Sequence, residues 1–397
     1  MFLEILLAIL VGILAGTISG LTPGIHINLV GAMLLSISGA LLGIFSPITL
    51  AVFIVSMSIT HTFIDFIPSI LLGAPDEDTI LSVLPGHEML KQGRGYEAIF
   101  LATYGSAMAI PIILFFTPIT IFIAPALLNF LSPLIPYILI IASGIFIFQE
   151  KRKFTALAVF LLAGFLGIIV FNSSLTEPFL PMLSGLFGAS SIIISLKTSP
   201  KIPKQIIEKP RIPMKKLIKP ALACLISTPL CSSLPGIGSG QAAIIGASVT
   251  KQTNEEFIIM LGAINTIVMG LSFIVLYSIS KTRTGSAAVV RNLISSISFT
   301  NLLIIIATIC LVGTLCYFYT LFLAKKSILV FSKINYSVLS ASVLVIISLI
   351  VFIFSGFYGF YVFIISTSAG IFGVLSGVRR IHLLGCIVLP TILIYLL

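Results

Sequence analysis

The sequence predicts an all-α polytopic membrane protein made of two inverted-topology repeats, each with a Pro-Gly-broken re-entrant hairpin and about five transmembrane helices. Of the 397 residues, 58% are hydrophobic and 9% are charged, whereas soluble domains average about 45–50% apolar and about 25% charged residues. Apolar stretches of roughly 17 to 28 residues recur along the chain, each long enough to cross a hydrocarbon core of about 30 Å. The bilayer is therefore the expected solvent for most of the chain.

Positive charge is confined to short segments between the apolar stretches. The net charge of +10 could indicate nucleic-acid binding, but clusters between apolar stretches are the pattern that sets orientation in a membrane. By the positive-inside rule these clusters face the cytoplasm, and nucleic acid is not an expected partner. The clusters are Lys151-Arg152-Lys153, Lys197 to Lys219, Lys325-Lys326 with Lys333, and Arg379-Arg380.

The apolar stretches between the clusters predict a multi-pass cell-membrane protein with both termini outside. The first stretch has neither a basic n-region nor a small-residue cleavage site, so we expect it to belong to the mature fold rather than to a signal peptide. Between two cytoplasmic clusters the chain must cross the membrane an even number of times, and the predicted spans satisfy this requirement. The predicted spans are 48–72, 98–128, 133–149, 154–172, 177–196, 257–280, 297–324, 336–356, 358–376 and 381–397.

Two apolar stretches are interrupted and are predicted to enter the membrane and turn back. Stretch 220–250 is divided by Leu234–Gly240 into pieces too short to cross a bilayer alone. The N-terminal stretch is divided in the same way at Thr22-Pro23-Gly24-Ile25. An odd number of spans in the first half gives the second half the opposite orientation. The predicted organisation is a membrane repeat at 1–196, a basic cytoplasmic linker at 197–219 and an inverted repeat at 220–397. Ordinary helix pairs, with about 14 spans in all, are the alternative.

The two Pro-Gly breaks are the predicted substrate-binding positions. Proline removes a backbone donor, and glycine relaxes the backbone, so such a break exposes polar groups that lipid cannot satisfy. The half-helix beyond it presents free N–H groups and a positive dipole end to an anion. A bare kink is the alternative at either break. The candidate residues are Thr22, Pro23, Gly24, His26, Asn28, Pro235, Gly236, Gly238, Ser239, Gly240 and Gln241.

His61 and Asp65 are candidates for binding a coupling proton or cation. They lie four residues apart, hence on one helix face, within the predicted span 48–72. Ionisable groups in a span are costly and usually functional. A mutually satisfied pair near the helix end is the alternative. The spacing lacks the further ligands of a zinc site, so no metal is predicted.

The loop from Gly73 to Glu97 carries most of the charge of the first half, and a solvated loop is the favoured interpretation. A second interpretation is a Mg²⁺ site for an intramembrane enzyme acting on a lipid or prenyl substrate, using Asp76, Asp78 and His87. That chemistry requires a second acidic cluster to bridge a diphosphate, and the sequence has none. No P-loop is present, which disfavours ATP-driven transport by this chain.

At this loop the chain resembles the large membrane subunit of the tripartite tricarboxylate transporters, the TctA family. The family has a Pro-Gly turn, an Ala-Thr pair, a Leu-Asp-Gly-Tyr-Pro-Met-like block and Lys-x-Gly-Arg. Its two other glycine-rich signatures resemble Gly20–Ile25 and Leu234–Gln241 here. Asp76 after Pro75, Pro85 and His26 depart from the family pattern, as in a short divergent member. The segments matching the loop are Ala74-Pro75, Asp78-Thr79, Leu84-Pro85-Gly86-His87-Glu88-Met89 and Lys91-Gln92-Gly93-Arg94.

The resemblance implies a transporter rather than an enzyme, and it implies a small membrane subunit and an extracytoplasmic solute-binding protein as partners. It also marks Pro75, Asp76, Asp78, Thr79, Gly86 and Gly93 as loop positions of the family type. Together with the paired breaks it predicts a secondary active transporter of a small organic anion, a (poly)carboxylate, driven by a cation or proton gradient. No cofactor is expected, and membrane lipid is the surrounding partner. The alternatives are the lipid enzyme and a passive channel.

Overall fold

The computed structural model describes most of the chain, and helices are the only regular secondary structure in the described part. The described residues are all except 1, 23–26, 28–29, 32–33, 35–37, 74–78, 176–177, 199–202, 234–238, 283, 295, 332–335 and 397.

The first half, up to the basic linker, contains ten helices among the described residues. They are α1 (Phe2–Leu21), α2 (Ser38–Leu41), α3 (Pro47–Ile64), α4 (Phe66–Leu72), α5 (Val83–Lys91), α6 (Gly95–Leu131), α7 (Ile135–Phe148), α8 (Lys153–Phe171), α9 (Phe179–Leu183) and α10 (Ser190–Thr198). A 3-10 turn (Ile80–Ser82) precedes α5, another (Ser132–Leu134) precedes α7, and a π-helical segment (Ser184–Ala189) joins α9 to α10.

The second half contains seven helices among the described residues. They are α11 (Lys215–Ser233), α12 (Ser239–Thr250), α13 (Asn254–Ile279), α14 (Gly285–Leu293), α15 (Phe299–Phe331), α16 (Tyr336–Leu375) and α17 (Gly385–Leu396), with a 3-10 turn (Arg380–Leu384) before α17.

Seven segments of the described chain are long and apolar enough to cross a membrane, which confirms an all-α polytopic membrane protein. Two of them form the interior. In the most apolar window of the segments at Pro47–Leu72 and Asn254–Ile279, 94% and 100% of residues are buried, against 22–39% in the other five. Outer helices instead expose large apolar side chains such as Phe122 and Phe154, as lipid-facing helices do. Helices α3 and α13 are therefore the central helices of the two halves.

Helix α16 is a hairpin of two helices, in agreement with the predicted spans 336–356 and 358–376. Gly356 has φ 64° and ψ −165°, a backbone conformation open to glycine alone. Gly188 lies against Ile347 and Gly185 lies against Phe363. In a straight helix those two partners would be about 24 Å apart, whereas Gly185 and Gly188 are neighbours on one turn. The chain therefore reverses at Gly356.

Helix α1 precedes the first Pro-Gly break, and α3 follows it. Helix α1 packs against α3 through a small-residue stripe, with Gly12 against Ser56 and Gly20 against Ile64, as closely packed membrane helices do. Contacts advance along both helices together, so α1 and α3 run in the same direction. The chain between them must therefore return to the side from which α1 started, as the predicted hairpin requires.

The second half repeats this arrangement. Lys216 pairs with Glu255, and Gly246 of α12 lies against both Ala223 of α11 and Met260 of α13. Helices α11 and α13 thus also run in the same direction, with α12 returning between them. With 12 residues, α12 is about 18 Å long, too short to cross the hydrocarbon core.

Each central helix packs against its own first arm and against helices of the other half. Helix α3 packs against α1 and against α14 and α15, whereas α13 packs against α11 and against α5 and α6. The order of the described elements is similar over part of each half: the central helix is followed by short helices (α4 and α5) and the long α6 in the first half, and by the short α14 and the long α15 in the second. The central helices are antiparallel, because contacts move from Asp65 with Asn265 to Ser58 with Ser286, which lies beyond the C-terminal end of α13.

The linker, which the sequence left without a required structure, is anchored to the first half. It has no regular structure between residues 203 and 213, yet Gln205 is buried and accepts a hydrogen bond from Gly95 N at 2.8 Å. Ile206 N donates to Gly93 O at 2.8 Å. Gly93 has φ 80°, a left-handed conformation that favours glycine. The linker therefore holds the turn between α5 and α6.

Candidate functional site

The centre of the protein contains a carboxylate at a helix interruption. Asp65 separates α3 from α4. Pro68 follows three residues later and has no N–H to donate to the Ile64 carbonyl, so the helix is interrupted at this turn. Asp65 is nevertheless buried, with 3% of its surface exposed. An ionisable side chain held inside the membrane region at such an interruption is a functional-site candidate.

Polar contacts across the two halves surround Asp65. Asn265 Nδ2 of α13 donates to Asp65 Oδ2 at 3.0 Å, and the hydroxyls of Thr62 and Thr266 lie 3.1 Å apart. Ser106 of α6 donates to Gly262 O at 3.1 Å. All five side chains are buried. The interface between the antiparallel central helices is therefore a polar seam within an apolar protein.

His61 belongs to the same seam but contacts a different helix. Its Nδ1 lies 3.0 Å from the hydroxyl of Ser19 on α1. Gly16 allows this approach, since a Cβ there would overlap the carbonyl oxygen of Met57. The described contacts of His61 and Asp65 thus lead to α1 and α13, respectively.

The residues next to the two breaks contact the opposite halves. Gly31, after the first break, lies against Val289 of α14, and Gly240, after the second break, lies against Leu81 in the turn before α5. The segments that contain Gly31 and Gly240 therefore pack beside α14 and beside the turn before α5, respectively. Among the described side chains, Leu81 and Val289 are the nearest neighbours of these glycines.

Several predicted substrate residues lie outside the described part of the chain: Pro23, Gly24, His26, Asn28, Pro235, Gly236, Gly238, and the loop positions Pro75, Asp76 and Asp78. For Gln241 the backbone lies in α12, and its side chain is outside the described part. Thr22 is half-buried and continues the backbone bonding of α1, whereas Ser239 is buried at the start of α12. The role of these candidates in binding stays a prediction.

The interpretation of residues 73–97 as a solvated loop is wrong for the part that the structure describes. Residues 83–91 form α5, and its apolar side chains Met89 and Leu90 are buried. Gly86 packs against Ile70 with no room for a Cβ, and the backbone carbonyl of Thr79 accepts from Ser82 at 2.6 Å. The charged residues occupy the exposed face of an amphipathic helix. The family-type positions Thr79, Gly86 and Gly93 thus have structural roles in this segment.

His87 faces the interior side of α5, against Gly73. Burial and the positive charges of Lys91 and Arg380 lower the pKa of His87 to about 4. The histidine is therefore neutral at physiological pH. Among the described residues, no group of three His, Cys, Asp or Glu side chains could hold a metal ion.

We expect His87→Gln to reduce the acid sensitivity of the protein. In the unfolded chain His87 binds a proton near pH 6.5, whereas in the folded protein it does so only near pH 4, so its contribution to stability is complete above pH 6.5 and is lost as the pH falls to about 4. The loss is on the order of 2 kcal/mol after allowing for partial solvation. Thermal unfolding in detergent between pH 7.5 and 4.5 measures it. An equal pH dependence in the variant and the parent would contradict this assignment.

An ion-pair cluster that sequence reasoning missed joins the ends of three helices. Arg94 makes two hydrogen bonds of 2.7 Å to Glu97 and one of 2.5 Å to Glu255. Glu255 also pairs with Lys216 of α11. No spacing along the sequence connects these residues, which lie up to 161 positions apart. The cluster places the N-terminal ends of α6, α11 and α13 on one face, as the predicted topology requires.

Comparison with known proteins identifies the family. The model of the tripartite tricarboxylate transporter TctA family matches residues 6–385. The chain belongs to this family. The TctA-family chain is also 32% identical over 393 residues to an uncharacterized protein of Methanocaldococcus jannaschii, with 95% of each chain covered. No solved structure matches it. The resemblance found in the three glycine-rich signatures is therefore confirmed, and with it the assignment to a family of multi-pass membrane transporters.

Proposed function

We propose that this chain is a secondary active transporter of a small organic anion, a (poly)carboxylate, driven by a cation or proton gradient. The observation that carries the proposal is the contact of Asp65 with Asn265 between the two antiparallel central helices. A buried polar seam between two oppositely directed helices is suited to a site that opens alternately to either side. The family supplies the substrate class, since its name refers to tricarboxylates.

The two halves are, in this proposal, inverted repeats. The partly similar order of elements, the shared direction of α1 with α3 and of α11 with α13, and the exchange of partners between the central helices all support this relation. The first hairpin then enters from the outside and the second from the cytoplasm. Substrate would be held where the breaks meet, by backbone N–H groups and by side chains such as Thr22, Asn28, Ser239 and Gln241.

Asp65 and His61 are the proposed coupling groups. A carboxylate buried beside an amide can bind a Na⁺ ion or a proton, and binding either one lowers the cost of burying its charge. His61 contacts α1 close to the first break, so its occupancy can influence the arm that approaches substrate. Movement of the ion and of the anion would thus be coupled through α1 and α13.

We also propose that the chain works with a small membrane subunit and an extracytoplasmic solute-binding protein, as the tripartite system of the family name implies. The N- and C-termini lie outside and the linker 197–219 lies in the cytoplasm in this proposal. Contacts join Arg94, Glu255 and Lys216 on one face of the protein. They support a position of the linker on the same side of the membrane as the N-terminal ends of α6 and α13.

The test is uptake of labelled mono-, di- and tricarboxylates into proteoliposomes that contain the purified chain, with and without Na⁺ and pH gradients. We expect uptake that responds to one gradient and collapses with the matching ionophore. Solute-binding protein and small subunit are added in a parallel set. A flux that ignores every ion gradient would identify a passive channel, and absence of uptake in both sets would contradict the proposal.

We expect Asn265→Ala to reduce that uptake by about tenfold, since a hydrogen bond to a charged group contributes roughly 1.5–3 kcal/mol. Uptake per folded molecule, after correction for the amount of monodisperse protein, is the measured quantity. Asn254→Ala is the matched control, because Asn254 is exposed and bonds only Glu88 among the described residues. Equal losses of uptake in the two variants would show that the contact between Asp65 and Asn265 has no specific role in transport.

A further inference from the structure

We propose that Arg380 and Ser191 form an oxyanion site that takes a carboxylate group of the transported anion at the basic-cluster end of the protein. The inference rests on the proposed function for the source of the anion. Of two neighbouring arginines, Arg379 has a counter-charge and Arg380 has none among the described residues.

Arg380 is partly enclosed at the start of the 3-10 turn before α17. Its Nη1 donates to the hydroxyl oxygen of Ser191 at 2.5 Å. Ser191 is itself buried and gives its own proton to the carbonyl of Phe187 in the π-helical segment. The serine oxygen is thereby fixed as an acceptor, and it holds the guanidinium in one orientation.

The contrast with Arg379 shows that the enclosed position is unusual. Arg379 is exposed, and its Nε lies 2.5 Å from Glu150 Oε1. Arg380 makes no ion pair with any described carboxylate, and Ser191 is the partner in its one described hydrogen bond. A guanidinium has five N–H donors in a planar fork. Enclosing that charge is unfavourable unless an anion accompanies it.

Arg380 lies near α5, which follows the 3-10 turn that packs beside the start of α12. Its charge acts on His87 of α5, which lies against Gly73 at the end of α4. Leu81, just before α5, packs against the cluster that contains Ile381 and also lies against Gly240 after the second break. The segment from Leu81 to His87 therefore lies close both to Arg380 and to the first described residues of α12.

These features select the chemistry of the ligand. A planar fork with free donors matches two oxygens of a carboxylate or phosphate, and such bidentate pairs are among the strongest hydrogen bonds in proteins. A neutral His87 adds no competing charge and leaves a hydrogen-bonding group nearby. The carboxylate of a transported anion and the phosphate of an anionic lipid share this chemistry, so the experiment must separate them.

The test is thermal unfolding of the purified full chain in detergent, with citrate, inorganic phosphate or phosphatidylglycerol titrated at constant ionic strength. We expect citrate to raise the midpoint of the parent and of Arg379→Gln, and we expect its apparent affinity to fall by at least about tenfold in Arg380→Gln. Arg380→Lys keeps the charge without the fork, so we expect an intermediate affinity. It also replaces Arg380→Gln if that variant does not fold.

Three results would overturn the inference: no midpoint shift with citrate in the parent, equal citrate affinity in the parent and Arg380→Gln, or a shift with phosphatidylglycerol alone, which would assign the site to lipid. Uptake by the same variants separates this inference from the proposed function. Unchanged KM and rate in Arg380→Gln would reject the site and leave the transporter standing. Loss of all uptake in the parent would reject the transporter.

Discussion

We expect Asp65→Asn to lower gradient-driven uptake by about ten- to a hundredfold while the protein still folds. The substitution keeps the volume of the side chain and its ability to accept from Asn265, but it removes the negative charge on which a coupling proton or Na⁺ ion would bind. Hydrogen bonds and ion contacts to a buried charge are worth roughly 1.5–3 kcal/mol, which corresponds to this range of rates. Initial uptake rates in proteoliposomes, with and without the ion gradient, measure the loss.

The double variant Asp65→Asn/Asn265→Asp is the sharpest control for that result. It moves the carboxylate to the other central helix and keeps one acid and one amide in contact. If the seam is shared by two related halves, we expect the double variant to recover part of the uptake. Glu88→Gln, which alters an exposed carboxylate on α5, should leave uptake unchanged. Full activity in Asp65→Asn would remove this residue from the coupling mechanism.

We expect Gly262→Ala to destabilise the protein strongly. Helices α6 and α13 cross with their backbones in contact, so that a Cβ on Gly262 would overlap the carbonyl of Ala102. Backbone atoms cannot rotate away as a side chain does, so the helices must separate. Overpacking of this kind costs about 1–3 kcal/mol or more, and the separation would also disturb the nearby bond from Ser106 to Gly262 O.

The amount of monodisperse protein and its unfolding temperature measure this effect. Gly144→Ala is the matched control, since Gly144 also lies within a helix, and a Cβ there meets no atom within 4 Å. We expect the control to be neutral or slightly stabilising, because alanine favours helix over glycine. Equal stability of Gly262→Ala and Gly144→Ala would show that the crossing is looser than the structure has it.

The fold was predictable where the signal is local. Apolar length located seven of the ten predicted spans in long apolar segments, whereas 133–149, 177–196 and 381–397 correspond to shorter apolar helices. The break at Gly356 lies at the predicted boundary between 356 and 358. The short α12 likewise followed from the length that a helix needs to cross lipid. What composition did not reveal is the amphipathic character of α5. Its charges suggested a solvated loop, although Met89 and Leu90 share a buried face.

The candidate site was predictable only in part, because its contacts join residues distant in sequence. His61 and Asp65 are conspicuous as ionisable groups inside a span. Asn265 is the one amide within the apolar stretch of α13, and no spacing points from it to Asp65, which lies 200 residues away. The Arg94–Glu255 pair and the docking of Gln205 depend equally on tertiary structure. Sequence reasoning thus found the charges and missed their partners.

Cysteine labelling tests most directly whether the two hairpins enter the membrane from opposite sides, as proposed. Ile44→Cys, in the exposed turn before α3, and Lys251→Cys, in the exposed turn before α13, are introduced separately into a cysteine-free parent. A membrane-impermeant maleimide is applied to right-side-out and inside-out vesicles. We expect residue 44 to react only from the outside and residue 251 only from the cytoplasmic side. Reaction of both from the same side would contradict the inverted arrangement and the transport mechanism built on it.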